Sequence, residues 1–494
     1  MYLLCKKVFV RVLSVPLMTI VFTLVGCTPV GPNYTSPQAS VSTKWHSQLK
    51  RGLVSEQMSP QTLASWWTTF DDAKLSELIE RAVAGNLDLK DAQSRVRQSR
   101  TSRGIAKAGL FPTLDFSGSD KWTRSGEDGG TGKTTQLYSS SFDSGWEIDI
   151  FGGVRRSIEA AEADLQATQE NLHDTLVTLT AEVALNYIEV RTYQYRLATV
   201  RENLETQSET YQLIVWRSQA GLSDELAVQQ ARYNLESTRS QIPSLNTGIE
   251  EAMNRIAVLL GEQPGKVNEE LEKSKPIPVV PPQTAVGVPA DMIRRRPDIR
   301  KAERELAAQT ARIGVATAEL YPKFTLAGSI SAKAVSFNRL VNNLSSSGDL
   351  TLSGGPGISW AIFDAGAIRQ NIKAQSELQE QALIKYESAV LGAIEDVENV
   401  LTAYADEQDK NYSLQKAVDA AQSAVELSKQ EYQAGLIDFS NVLDAQRSLL
   451  SFQNELAQSD GTIASNFIRL YKALGGGWTS FALEENNKQQ KEKK

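Results

Sequence analysis

One short phrase is written twice in this chain. Gln219-Ala220-Gly221-Leu222-Ser223-Asp224 returns 214 residues later as Gln433-Ala434-Gly435-Leu436-Ile437-Asp438. At the same offset Trp146 meets Trp360, Arg155 meets Arg369, Val228 meets Val442 and Ala231 meets Ala445. Earlier in each half, Leu110-Phe111-Pro112 matches Leu320-Tyr321-Pro322 at an offset of 210. Agreement at a near-constant offset over this length means a duplicated unit, so whatever fold forms is built twice.

Each unit reads as helix, strand pair, very long helix, sharp turn, shorter helix. Residues 88–110 and 297–319 are rich in Ala, Arg, Gln and Glu and stop before Pro112 and Pro322, as helices ahead of a proline do. Residues 152–218 and 366–432 contain no proline and almost no glycine, and their apolar residues recur at three- and four-residue steps. A helix of 67 residues at 1.5 Å per residue is roughly 100 Å long. No globular core is that wide, so such helices need coiled-coil partners along their length. Ala160, Ala161, Ala163, Ala167, Ala181 and Ala184 on their stripes suit close packing in a thin wall. Return helices are expected at 222–260 and 436–474, after Gly221 and Gly435, with Ser223 or Asp438 able to cap them. Gly475-Gly476-Gly477 would close the second. The two units thus occupy 88–260 and 297–474, with segments 27–87 and 261–296 before each and a tail at 475–494.

The strand pairs, at 113–150 and 323–362, carry one apolar and one polar face. Phe142, Trp146, Ile148 and Ile150 alternate with Asp143, Gly145, Glu147 and Asp149. Phe324, Leu326 and Ile330 alternate with Thr325, Ala327, Ser329 and Ser331; Leu350, Leu352, Ile358, Trp360 and Ile362 alternate with Thr351, Ser353, Ser359 and Ala361. Segment 113–119 is weaker, with only Leu114 and Phe116 on its apolar side. Segments of about ten residues of this kind are what a membrane barrel needs, although a soluble sheet on a core reads similarly. Polar Gly- and Ser-rich loops at 121–136 and 335–348 would join the pairs outside the cell.

Four strands cannot close a barrel, and an open sheet edge is not tolerated in hydrocarbon. Two copies give eight strands and an interior that side chains fill. Three give twelve, leaving a lumen faced by Asp, Glu, Ser and Thr. The arithmetic favours a homotrimer. The fold class is therefore a mixed α+β membrane protein, with four transmembrane strands per chain and a long helical coiled-coil barrel.

Composition narrows the function. A net charge of -7 and the lack of a Lys/Arg run in the body argue against nucleic acid. Two histidines (His46, His173) and two cysteines offer no zinc cluster, Ser-His-Asp set or Cys-His pair, and no phosphate-cradling glycine loop appears. No enzyme and no cofactor is expected beyond a covalent lipid. Residues 1–26 form a targeting signal: Lys6, Lys7 and Arg11 precede an apolar core, Val12 to Gly26, too short to span a membrane. It ends in Leu24-Val25-Gly26-Cys27, which resembles the lipobox of bacterial lipoproteins, where the cysteine is acylated and becomes the first mature residue. An ordinary secretory signal with an incidental cysteine is the alternative. Thr28 stands where an inner-membrane retention signal would often place Asp, favouring the outer membrane.

Cys27-Thr28-Pro29-Val30-Gly31-Pro32-Asn33-Tyr34, Trp66-Trp67-Thr68-Thr69-Phe70, Val288-Pro289-Ala290-Asp291-Met292-Ile293-Arg294-Arg295-Arg296-Pro297-Asp298-Ile299, and Ala434-Gly435-Leu436 with Val442-Leu443-Asp444-Ala445-Gln446-Arg447 carry a resemblance. Together they make the chain similar to the lipidated branch of the TolC-type outer-membrane factors, over nearly the whole mature length. The resemblance implies a trimer sharing a twelve-stranded barrel, a helical barrel projecting into the periplasm, and docking to a periplasmic adaptor (membrane fusion) protein and an inner-membrane pump. It also implies that residues 40–80 and 261–296, with the tail, form an equatorial belt.

In such proteins the second hairpin coils inward to close the periplasmic end, with acidic side chains around the narrowest point. Asp444 and Asn441 fall on those positions, three residues apart and so on one helical face. Three copies of Asp444 would repel unless protonated or cation-bound, a common device in cation-selective pores. Asn441 stands where some relatives have a second acid. Arg447 and Tyr432 match positions that tie neighbouring helices shut, whereas a relative's arginine after the glycine is Ile437 here. Read without the family, Asp444 and Arg447 are an ordinary surface i,i+3 pair worth a few tenths of a kcal/mol. The turns at 219–224 and 433–438 would contact the adaptor, presenting Gly221, Leu222 and Asp224 on one tip and Gly435, Leu436 and Asp438 on the other; plain turns without a partner are the alternative.

The expected function is a passive outer-membrane exit duct for small solutes such as drugs, anchored through Cys27. A protein-secretion conduit is the nearest alternative, and a pore-less coiled-coil lipoprotein a third; the duplicated amphipathic strands speak against the last.

Overall fold

A computed structural model describes residues 28–38, 41–56, 59–124, 126, 133–346 and 350–478. The signal segment, Cys27 and residues 479–494 lie outside the described residues. In chain order the elements are β1 (Leu53–Val54), α1 (Pro60–Ala64), a 3-10 turn (Trp66–Phe70), α2 (Ala73–Gly85), α3 (Leu87–Ala108), β2 (Thr113–Arg124) and β3 (Thr134–Ile148). They continue with α4 (Gly153–Gln219), α5 (Glu225–Arg239), α6 (Gln241–Leu259), α7 (Asn268–Leu271), β4 (Thr284–Ala285) and α8 (Pro289–Arg295). The second copy follows as α9 (Pro297–Ala318), β5 (Lys323–Ala334), α10 (Phe337–Ser346), β6 (Leu350–Ser359), α11 (Ala367–Gln433) and α12 (Phe439–Ala473). The chain divides into two compact units, one of residues up to 38, 95–168 and 301–386, the other of 39–94, 169–300 and 387 onward.

In the first unit the four long strands form one antiparallel sheet in the order β2-β3-β5-β6. Its register places Phe116 beside Phe142, Phe142 beside Ile330 and Ile330 beside Leu352, so even-numbered residues share one face across all four strands. Odd-numbered residues share the other, where serine hydroxyls pair across the ladder: Ser117 with Ser141 at 2.8 Å, Ser119 with Ser139 at 2.8 Å, Ser329 with Ser353 at 2.7 Å. The duplication is visible in the bonds themselves. Indole N–H of Trp146 donates to the Leu110 carbonyl, and that of its repeat mate Trp360 to Leu320, each closing a helix end left open ahead of a proline. Asp149 and Asp364 then accept from the first amides of α4 and α11, where a carboxylate suits the helix dipole. Ala163 of α4 packs on Ala307 and Ala308 of α9, the close approach that small side chains allow.

The second unit has a core around the Trp66–Phe70 turn. Trp66 is 1% exposed and stacks on Tyr471 at 5.8 Å, and Phe70 meets Phe467 edge-on at 5.2 Å. Leu75, Leu78 and Ile79 of α2 are fully buried, each contributing about 1.5–3 kcal/mol. Asp72 caps α2 through Lys74 and Leu75 amides, and its other oxygen accepts from the Tyr187 hydroxyl at 2.7 Å. Burial, then that bond, push the Tyr187 hydroxyl up to about 12, which keeps it a donor. β1 pairs with β4 in parallel, tying the segment before the first copy to the segment before the second.

Several expectations are corrected. The first return helix is not one piece over 222–260: it breaks at Ser240 into α5 and α6, because Pro243 has no N–H and its ring crowds the preceding turn. Asp224, not Ser223, caps α5, accepting from Ala227 N at 2.9 Å. Asp438 occupies the cap position of α12, but its side chain makes no capping bond. The 121–136 loop is shorter than read, since β2 and β3 run on to Arg124 and from Thr134. The 335–348 loop contains helix α10. Ile150, Trp360 and Ile362 lie beyond the strand ends.

Candidate functional site

Three places bear on function: the sheet's apolar face, the seat of the segment after Cys27, and the hairpin tips.

On the sheet, the even-numbered face stands bare. Leu114, Phe116, Phe142, Trp146, Leu326, Ile330, Leu352 and Ile358 are all exposed, Leu352 to 74%. A continuous apolar surface of this size, backed by a polar face of Ser, Thr and Asp, fits hydrocarbon on one side and water on the other. β2 and β6 form the two edges of the sheet, and among the described residues neither has a second neighbour. No described helix is long and apolar enough to cross a membrane.

The segment 29–34 is seated on α4 and α9 by a residue that sequence reasoning passed over. Arg156 is 3% exposed, and its guanidinium gathers the carbonyls of Pro29, Val30 and Gly31 and the Asn33 side chain, the last at 2.7 Å. Gly31 has φ +87°, and a Cβ there would fall 2.5 Å from the Gly314 backbone; a Cβ on Gly314 would strike Arg156 at 2.8 Å. Both glycines are therefore required by contact. Tyr34 donates to Glu303 at 2.9 Å under the Arg304 guanidinium, and Ser36 donates to the same carboxylate. Burial alone would raise the Glu303 carboxyl, yet the Tyr34 and Ser36 hydroxyls and Arg304 hold it below the usual carboxylate range. Backbone carbonyls leave no mark in sequence, so only the motif Val30-Gly31-Pro32-Asn33-Tyr34 hinted at this seat.

At the tips, Gly221 and Gly435 both take φ +73°, and the amides of Leu222 and Leu436 reach back to Arg217 O (2.8 Å) and Glu431 O (2.9 Å). This is the left-handed helix end that glycine favours. Leu222 and Leu436 project outward, 69% and 74% exposed. Beneath them Ile214, Ala227, Val228, Ala231, Phe439, Val442 and Leu443 form a small core. Tyr432 packs on it, 5.3 Å from Phe439, with the Arg217 guanidinium 4.8 Å over its ring.

Arg447 is the busiest side chain here. It donates from Nε to Asn234 Oδ1 at 2.8 Å and from Nη2 to the Tyr233 hydroxyl, lies 4.9 Å over the Tyr233 ring, and touches Asp444 Oδ1 at 3.4 Å. It thus joins α12 to α5 across the two hairpins. The Asp444 side chain is 73% exposed and has little but this weak pair to hold it. Asn441 turns to its own helix start, donating to Asp438 O at 3.2 Å, so it does not share a contact with Asp444. Gln207, the amide nitrogen of Asn234 and Oε1 of Gln446 are buried nearby without a partner. Each such group costs about 1–3 kcal/mol. Among the described residues no cluster of His, Cys, Asp or Glu could hold a metal ion.

An open sheet with one face for lipid and one for water, its strand pairs running into 67-residue helices, defines the subunit of an outer-membrane channel. The family model described as outer membrane efflux protein matches residues 78–262 and 288–476. Nodulation protein T of Rhizobium leguminosarum bv. trifolii is 36% identical over 465 residues, covering 93% of this chain and 96% of that protein. The solvent efflux pump outer membrane protein SrpC of Pseudomonas putida is 31% identical over 471 residues, 94% and 98% of the two chains. Among solved structures, the outer-membrane channel OprN matches with a TM-score of 0.83 at 33% identity, over 91% of this chain and 99% of that one. The chain belongs to the outer membrane efflux protein family. It is an efflux channel of the outer membrane, as the resemblance implied, and mixed α+β in fold, as its strand and helix patterns implied.

Proposed function

We propose that three copies pool their sheets into one twelve-stranded barrel and their long helices into a periplasmic tube, giving an exit duct for small toxic solutes. The observation that carries this is the four-stranded sheet, lipid-ready on one face and open at both edges. Hydrocarbon cannot satisfy those edges, so neighbouring copies must. Acylated Cys27 anchors each copy, and the Arg156 seat holds the following residues in place.

The tips dock a periplasmic adaptor protein, which links the duct to an inner-membrane pump. Leu222 and Leu436, beside glycines with open space around them, form the apolar contacts for its helices. The second hairpin is the gate. Asp444, exposed on each copy, lines the narrowest point, where three carboxylates favour cations and repel one another. Arg447, clasped by Tyr233 and Asn234, and Tyr432 beneath Arg217 hold the hairpin shut. The unpartnered polar groups beneath keep this packing short of its optimum, which suits an element that must move.

Currents through a planar bilayer test this. Purified mature protein should carry small, cation-favouring currents, and Asp444→Ala larger and less selective ones. Inserted protein that stays silent, even with Arg447→Ala to loosen the tips, would leave a structural lipoprotein in place of a duct.

A further inference from the structure

Helix α10 sits in a segment whose composition reads as an extracellular loop, yet it packs on the sheet, and the register decides on which face. It covers Ala332 and Ala334, with Leu340 buried among them and Tyr138 and Leu350 packed alongside. All four strand residues belong to the even-numbered set that carries Phe142, Ile330 and Leu352. The helix therefore lies on the lipid side of the sheet, continuous with its apolar face, rather than over the polar side.

Its height is fixed by counting residues. Tyr138 and Ser140 stand ten and eight residues from Ile148, the last apolar residue of β3. At about 3.3 Å per residue and a tilt near 40°, that is roughly 20–25 Å of height, about where the apolar band of such a barrel ends. Trp122, on the same face one step further out and opposite Gln136, is 71% exposed. A bare tryptophan at that level marks a membrane boundary.

The helix has more apolar surface than the sheet covers. Phe337, Val341 and Leu344 recur at steps of four and three, one helical stripe, and each remains about half exposed although Phe337 also meets Tyr138 at 6.0 Å. Asn338, Arg339 and Asn342 make up the opposite side, while Asn343 turns to the sheet and donates to the Lys333 carbonyl at 3.5 Å. A short amphipathic helix with its apolar stripe at a membrane boundary lies in the interface, not above it.

We propose that α10 is an interfacial anchor seated in the outer leaflet, with Val341 and Leu344 among acyl chains and Arg339 at the level of anionic headgroups. Four elements of the barrel wall span the membrane; this fifth lies along its outer surface and fixes how deep the barrel sits.

Single cysteines can report the surroundings of each position, since the mature chain's own Cys27 is acylated. Mature protein with Val341→Cys, Leu344→Cys or Asn338→Cys would be labelled with an environment-sensitive fluorophore and reconstituted into phosphatidylcholine vesicles with brominated acyl chains. Leu352→Cys serves as the lipid-facing reference and Ser353→Cys as the water-facing one. Labels at 341 and 344 should lose fluorescence to brominated chains as the 352 label does, while the 338 label should respond to aqueous iodide. Adding anionic phosphatidylglycerol should deepen the 344 quenching, and Arg339→Gln should abolish that increment. Labels at 341 and 344 that respond to iodide like position 353 would overturn the proposal. Labels shielded from both quenchers would also overturn it, by showing that a neighbouring copy covers the helix.

Discussion

At both hairpin tips a glycine at φ +73° turns the chain, and the following leucine amide reaches back five residues to seal the helix end. Past that shared turn the copies part. The first return helix is broken after Arg239, the second runs unbroken from Phe439 to Ala473. Leu443 is 2% exposed, whereas its repeat mate Gln229 lies on the surface. Asp444 corresponds to Gln230, Asn441 to Ala227 and Arg447 to Tyr233, the residue it clasps. Duplication preserved the backbone device and let the side chains diverge. The Asp444–Arg447 pair lies on the second copy alone, the copy proposed as the gate, and Arg447 reaches from it to Tyr233 and Asn234 of the first.

The widest gap between the copies should appear on truncation. Leu443→Ala should destabilise the tip by about 2–5 kcal/mol through the cavity it leaves, while Gln229→Ala should stay within about 0.5 kcal/mol. Hydrogen exchange of tip amides would read both, and equal effects would erase the distinction. Next is the clasp. Arg447→Ala orphans the Asn234 oxygen at about 1–3 kcal/mol and should raise single-channel conductance; Arg447→Lys, which cannot serve both partners, should recover only part of the closure. Where the copies are alike, the responses should match: Gly221→Ala and Gly435→Ala force a left-handed alanine and should each cost about 1–2 kcal/mol, with no difference between tips in local exchange. The smallest contrast lies in the caps. Asp224→Ala should cost about 1 kcal/mol and Asp438→Ala distinctly less, because only the former accepts an amide bond; fraying of α5 and α12 by exchange would show it.

Much of this was legible in the residues. The repeated phrase, the proline-free runs and the alternation around Phe142 and Ile330 led to a duplicated membrane wall, because periodicity records which faces are buried. The break at Ser240 was missed: apolar spacing continues through Pro243 from Ala231 and Leu235 to Leu245 and Ile249, and periodicity cannot see one absent N–H. Helix α10 was missed because Phe337, Leu340, Val341 and Leu344 sit in a short stretch between serine and glycine runs, where composition outweighs spacing. Beyond their i,i+3 acids, Glu159 and Asp444, the partners of Arg156 and Arg447 are far away in sequence or are bare carbonyls, and those leave no local pattern. The proposed gate and docking residues came from resemblance; Tyr233 and Asn234, which hold Arg447, came only from the fold.

The four strands of one chain form an open sheet that cannot close into a barrel by itself. The most direct measurement is the mass of the purified mature protein, released from detergent micelles in the gas phase with its subunits intact. Three chains per particle, persisting on dilution, is the predicted result. A single chain that retains its strand content would contradict the account, since its sheet edges would then be met by something other than another copy.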